Sequence, residues 1–316
     1  RFLFRYGAPV SISMMLLISL PTFVIATVVY IRILRDRAFS AYDTIRLIVY
    51  CGFVDMFALA MNFTAIQISV LAFATPFFKM LNEKKIAGLA DGIDHYAQGM
   101  QLQGLFIIAF NRASNLSGAT RSKKERTLIF HLSVLALFVL PLLFCVPNGF
   151  VGFKFLCSVS SINDTICYPK TLDDKNFQEM VETVYLASLN FVTFILNVFL
   201  LLKAARQKRF IKGLQGQTVA NFEQGLIVMS ASSFAVQLIY FMIQVLAKYQ
   251  PASVEVILGL VLIFSPLSYT AACVMPFWFL ILFSHSIRRT FFRLRMPATG
   301  ESSCLPPVVC VIGSTL

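Results

Sequence analysis

Seven stretches of mostly apolar residues limit how this chain can fold more than anything else in it. They run over 8–31, 47–73, 93–110, 128–148, 183–202, 225–247 and 256–283. A helix needs about 20 such residues to cross a hydrocarbon core of about 30 Å. Lipid offers the backbone no hydrogen bonds, so only helices and closed barrels can span it. Barrel strands would alternate apolar and polar residues over about ten positions, whereas these runs are continuous. The sequence therefore reads as an all-α membrane protein, a seven-transmembrane helix bundle. Composition agrees. Charged residues make up 13% and hydrophobic residues 58%, with a mean hydropathy of +0.76. A soluble domain carries about 25% charged residues to cover its surface. No internal repeat is visible, so an inverted-repeat transporter has no support.

The net charge of +12 suggests nucleic acid until the charges are placed. One set of loops holds Arg32, Arg35, Arg37 and Arg46, then Arg112, Arg121, Lys123, Lys124 and Arg126. The same side continues with Lys203, Arg206, Lys208, Arg209 and Lys212, and with Arg288, Arg289, Arg293 and Arg295. That is two thirds of the 27 lysines and arginines, and the acids on the opposite side balance its bases. Cytoplasmic loops carry such an excess. The N-terminus is therefore expected outside and the C-terminus in the cytoplasm, with the bilayer as the partner of the basic face and no nucleic acid. Asn163-Asp164-Thr165 is a glycosylation acceptor in the long loop 149–182, which the charges place outside. Cys157 and Cys167 bracket it. A local disulfide and two free thiols both fit; the bridge is the expectation.

Polar residues inside the spans mark candidate sites, because a charge at the bilayer centre costs about 2.5–3.5 kcal/mol on insertion scales. Asp55, with Asn62 seven residues on, is read as an ion- or water-coordinating pair or as an interhelical hydrogen bond. The third span is the least apolar and is expected at the bundle centre; Asp94, Gln98 and Gln101 form a stripe in its outer half. Gln237, Tyr240 and Gln244 form a stripe on the sixth span, and Tyr185 opens the fifth. Mostly apolar walls with a few convergent polar groups describe a small-molecule pocket, so these seven residues are the candidate ligand contacts. His95, Tyr96, Glu182 and Glu255 are expected to meet headgroups, and Asn190, Thr193 and Asn197 to act as packing glue. Three histidines on distant segments (His95, His131, His285) make no metal site, and no cofactor is expected.

Two short motifs carry a resemblance. One is Gln98-Gly99-Met100-Gln101 leading to Phe110-Asn111-Arg112-Ala113-Ser114. The other is Pro276-Phe277-Trp278-Phe279-Leu280-Ile281-Leu282-Phe283 followed by Ile287-Arg288-Arg289. With seven spans, an outside N-terminus and Asp55 in the second span, the chain resembles the rhodopsin-like architecture of G-protein-coupled receptors. Within it the chain is similar to nematode serpentine chemoreceptors, in the grouping of classes gamma, V, U, X and T, over about residues 8–295. The resemblance implies a receptor domain over 1–295, with an amphipathic helix at 286–296 and a disordered cytoplasmic tail at 297–316. It implies no enzyme. It implies a chemosensory receptor of the sensory-cell plasma membrane that binds an external odorant- or pheromone-like molecule in the outer half of the bundle. A heterotrimeric G protein would then be activated through Asn111 and Arg112. The alternative is a transporter or channel on the same seven helices. Departures from the pattern are Asn111-Arg112-Ala113 in place of Asp-Arg-Tyr, no cysteine between Lys79 and Gln103, and no Pro following Asn-Arg. Ser265-Pro266-Leu267-Ser268-Tyr269 lies too deep to serve as an Asn-Pro-x-x-Tyr motif and is read as coincidence. Cys304 is either an acylation site or a free thiol.

Overall fold

The computed structural model describes residues 8–36, 43–64, 68, 72–83, 86–116, 123–144, 153–159, 165–171, 176–210, 217–249, 255–283 and 287–288. Its helices are α1 (Ala8–Arg35), α2 (Asp43–Asn62), α3 (Thr75–Glu83), α4 (Ala87–Leu116) and α5 (Lys123–Phe144). Then come the strands β1 (Phe153–Val159) and β2 (Thr165–Thr171), followed by α6 (Asn176–Phe210), α7 (Gln217–Tyr249) and α8 (Glu255–Phe283). All helices but α3 belong to the bundle. By length and composition, four stretches among the described residues can cross a membrane: Ile12–Arg35, Asp43–Asn62, Met180–Lys203 and Gly225–Ile243. Thr127–Leu143 and Leu267–Phe283 are shorter apolar stretches. The helix that matches neither description is α4, and its surroundings explain why it can carry polar residues. It packs against α2, α5, α6 and α7, so bundle rather than lipid meets most of its surface.

The peripheral helices show the opposite pattern. On α1, Leu17 and Val24 are exposed, and on α6 so are Phe191 and Leu202. Lipid tails are as apolar as these side chains, so no hydrophobic force turns them inward. What holds α1 is a set of specific contacts. The Trp278 indole of α8 donates to Thr22 Oγ1 at 3.2 Å, and the Tyr30 ring meets Phe277 edge-on at 5.7 Å.

Two findings depart from the hydropathy reading. The second apolar run extends to Phe73, yet α2 ends at Asn62, with a short π turn over 63–64. The Thr64 hydroxyl donates to Ala60 O at 2.8 Å and to Met61 O at 3.1 Å. Such bonds offer the last carbonyls an alternative to the helical ladder. A 3₁₀ turn at Ala72–Ala74 then leads into α3. The second finding is the hairpin, the one departure from an all-helical chain among the described residues. β1 and β2 pair antiparallel, with Phe153 opposite Thr171 and Cys157 opposite Cys167. Cys157 is disulfide-bonded and packs against the Ala74, Phe78, Leu81 and Ala87 cluster of the 3₁₀ turn, α3 and α4. The hairpin thus sits over the start of α4. Asn163, the Gln244 side chain, most of the 286–296 segment and the 297–316 tail lie outside the described residues.

The inner half of the bundle is closed by aliphatic packing. Ile45, Ile48, Ile107, Ile108, Leu226, Met229, Leu280, Ile281 and Ile287 form one buried cluster drawn from α2, α4, α7, α8 and the segment after α8. At its edge α7 and α8 approach backbone to backbone. A Cβ on Gly225 would lie 2.3 Å from Phe283 O, so only glycine fits there.

Candidate functional site

The polar residues of α4 are spaced to share a face, since positions three, four and seven apart stack along one side of a helix. The structure turns that face toward α2, α7 and α8. Asp94 is 4% exposed; Asn62 of α2 donates to its Oδ1 at 3.3 Å and Gln98 to its Oδ2 at 2.7 Å. Tyr240 OH of α7 reaches Gln98 Oε1 at 3.5 Å, and its ring meets Tyr269 of α8 at 5.0 Å. One turn deeper, Gln101 Nε2 faces Cys273 Sγ at 3.4 Å and Gln237 Nε2 faces Gln101 Oε1 at 3.5 Å. Asp94, Gln98, Gln101, Gln237 and Tyr240 therefore meet in one seam.

Other expected residues lie elsewhere. Tyr185 turns to a different face of α4, where its hydroxyl donates to Gln103 Oε1 at 3.1 Å. Asn62 bonds Asp94 and belongs to the outer seam, so it does not form a site with Asp55. One interval of seven places residues on a shared face, but α2 carries Asn62 two turns further out. Asp55 lies within hydrogen-bonding reach of Gln101, and among the described residues no cation pairs with it. Glu182 does not face headgroups. It is buried, and its Oε1 meets His95 Nδ1 at 2.7 Å, tying α6 to α4 at the outer end. Asn190 and Asn197 donate to carbonyls within α6, while Asn197 Oδ1 accepts from Ser230 of α7 at 3.1 Å.

Tyr269, Cys273 and Ser233 were not expected at this site. Tyr269 and Cys273 stand four apart on α8 and Ser233 stands four before Gln237, so a search for polar residues at helical spacing on every span would have found them.

A cavity of about 20 Å³ lies below the seam, lined by Tyr30, Cys51, Asp55, Gln101, Ser230 and Ser233 among others. About 10–15 Å³ is enough for one water, so this space suits hydration rather than an organic ligand. At the inner end of α4, Asn111 donates to Thr44 Oγ1 of α2 at 2.9 Å, and Arg112 is 2% exposed beneath the closed aliphatic layer. Among the described residues, no cluster of three or more His, Cys, Asp or Glu could hold a metal.

Comparison with known proteins gives this arrangement a family. The fold is similar to the crystal structure of squid rhodopsin, with a TM-score of 0.59 at 12% identity, over 90% of this chain and 83% of that one. No curated protein matches the sequence. The family model described as "Serpentine type 7TM GPCR chemoreceptor Srv" matches residues 12–296. An integral multi-pass bundle of rhodopsin-like fold, covered almost end to end by that model, belongs to the Srv family of serpentine seven-transmembrane G-protein-coupled chemoreceptors.

Proposed function

We propose that this chain is a chemosensory receptor that binds an external small molecule of odorant or pheromone type in the seam between α2, α4, α7 and α8. Asp94, Gln98, Gln101, Gln237 and Tyr240 would contact it, with Gln244 on the same face of α7. Asn111 and Arg112 would then engage a heterotrimeric G protein. The observation that carries this reading is the convergence of acid, amide and phenol groups from α2, α4, α7 and α8 in one seam of a chemoreceptor-family bundle.

A ligand shifts a two-state bundle only by binding one state better than the other. Among the described residues, the cavity below the seam has room for about one water. A ligand therefore selects a state in which α7 and α8 have moved relative to α4, and that movement is what Arg112 would report. The membrane is the sensory-cell plasma membrane, with the N-terminus outside and the C-terminus in the cytoplasm. Asp55 serves as a hydration or ion position below the ligand. A Cys157–Cys167 bridge pins the outer hairpin, and Asn163 carries a glycan. No step of this function is catalytic.

A small-molecule panel applied to cells expressing the full chain, read by a second messenger, tests the reading. A ligand-dependent response that requires the G protein supports it. Solute carried by the purified protein in liposomes without any partner would assign it to transport instead.

A further inference from the structure

The seam has a direction that residue spacing does not reveal. Gln98 Nε2 donates to Asp94 Oδ2 at 2.7 Å, which leaves the Gln98 carbonyl facing α7, where Tyr240 OH approaches no closer than 3.5 Å. Gln101 uses its Nε2 on Cys273 Sγ, and its carbonyl faces Gln237 Nε2, again at 3.5 Å. Gln237 Oε1 is then the loose end of this relay. The residue is 2% exposed, and the oxygen has no hydrogen-bond partner among the described residues. One turn inward, Ser233 Oγ is in the same condition, on a residue 1% exposed.

A carboxylate can only accept, so Asp94 fixes which way the Gln98 amide points. Gln101 and Gln237 then order themselves head to tail beside it. Gln98 and Gln101 turn their carbonyl oxygens toward α7, and Gln237 Oε1 is the free acceptor at the end of the row. N–H···O and O–H···O bonds are well made at about 2.5–3.2 Å. Contacts of 3.5 Å leave two of these oxygens poorly satisfied, and the third has no partner among the described residues. Buried acceptors left without a donor are destabilising, and a group that supplies donors there is bound preferentially.

We propose that the polar end of this receptor's ligand is a hydrogen-bond donor, an N–H or O–H group, seated on the carbonyl oxygens of Gln98, Gln101 and Gln237. The inference rests on the ligand-binding reading of the same seam and adds the ligand's chemical class. An ether, ester or ketone of equal size brings only acceptors and leaves these three oxygens as they are. The apolar remainder of the ligand lies against the Tyr240–Tyr269 pair.

The test uses the full chain in lipid nanodiscs and reads thermal unfolding with three probes: 1-hexanol, its isomer methyl pentyl ether, and hexylamine. Hexanol and hexylamine should raise Tm at half-maximal concentrations at least roughly tenfold below that of the ether. In Gln237→Met, which keeps side-chain length and helix propensity, the gap should fall below about threefold; Gln101→Met repeats the test should the first variant misfold. A hexylamine advantage over hexanol adds the Asp94 charge to recognition, and equality assigns it to the carbonyls; both support a donor ligand. Equal half-maximal concentrations for hexanol and the ether in the wild type would overturn it. So would a wild-type Tm that neither donor raises, or a gap that persists in both variants. Donor-selective binding without stimulated nucleotide exchange would leave this inference standing and remove the receptor function.

Discussion

Around α7, the outer and inner halves of the bundle make contacts of different kinds. In the outer half, α4 meets α7 through amides and a phenol at 3.5 Å, with Gln237 Oε1 and Ser233 Oγ lacking partners among the described residues. In the inner half, an aliphatic cluster closes the space, and Gly225 lets α7 lie against the Phe283 carbonyl. Arg288 then donates to Leu282 O at 2.6 Å and steadies the end of α8. Charge-assisted bonds and close-packed aliphatics resist small displacements; long amide contacts do not. On the proposed function, a molecule entering the seam would meet the half that yields. The half that resists lies over Arg112. On that proposed function, such an arrangement would turn binding at one end into a discrete opening at the other, because packed interfaces switch between arrangements rather than deform continuously.

Substitutions at the two ends should break this contrast in different ways. The largest effect belongs to Arg112→Ala, which should abolish ligand-stimulated signalling, a loss of roughly a hundredfold or more, while surface expression stays normal. Surface labelling beside a second-messenger assay reads both quantities, and normal signalling would remove the residue from the coupling role. Gly225→Val comes next. Its side chain would occupy the place of the Phe283 carbonyl, forcing the inner ends of α7 and α8 apart at a cost of about 1–3 kcal/mol. Ligand-free signalling should rise several-fold as Tm falls; a lower Tm with unchanged basal signalling would mean that the inner contact holds the fold and not the switch.

In the outer half, Gln98→Ala, Gln101→Ala, Gln237→Ala and Gln244→Ala should leave maximal signalling intact and shift ligand potency by about tenfold for at least two of the four. Unchanged potency for all would move the pocket elsewhere. The smallest effect is expected from Gly104→Ala. The nearest atom to its added Cβ is Cys51 Sγ at 2.8 Å, the movable end of a side chain. A stability loss of about 1 kcal/mol or less with normal basal signalling would show that close packing alone does not govern the switch, in contrast to Gly225→Val.

The helical spans were legible because lipid forces each to satisfy its own backbone, and continuous hydropathy records that. Hydropathy is blind to hydrogen bonds that end a helix, so the Thr64 hydroxyl and the stop of α2 at Asn62 went unread. The β1–β2 hairpin was legible in principle. Phe153, Phe155, Cys157 and Val159 alternate on one face of a strand, but the loop was read for its cysteines and glycosylation acceptor alone. Spacing along α4 identified Asp94, Gln98 and Gln101 because one helix fixes its own faces. The rotation of one helix against another is not encoded in spacing. That is why Tyr185 proved to face Gln103 and Asn62 to face Asp94. Tyr269 was read only as part of a displaced motif, and Cys273 lies in the most apolar span, where a lone thiol is easily read as core.

Nucleotide exchange on a heterotrimeric G protein tests most directly whether the yielding outer seam drives the closed inner end. The purified full chain in nanodiscs would be assayed with a donor ligand that raises its Tm, in wild type, Gln101→Ala and Arg112→Ala. Exchange should be stimulated in wild type, require roughly tenfold more ligand in Gln101→Ala and vanish in Arg112→Ala although the ligand still raises Tm. Stimulated exchange that ignores both substitutions would contradict the coupling of these two regions.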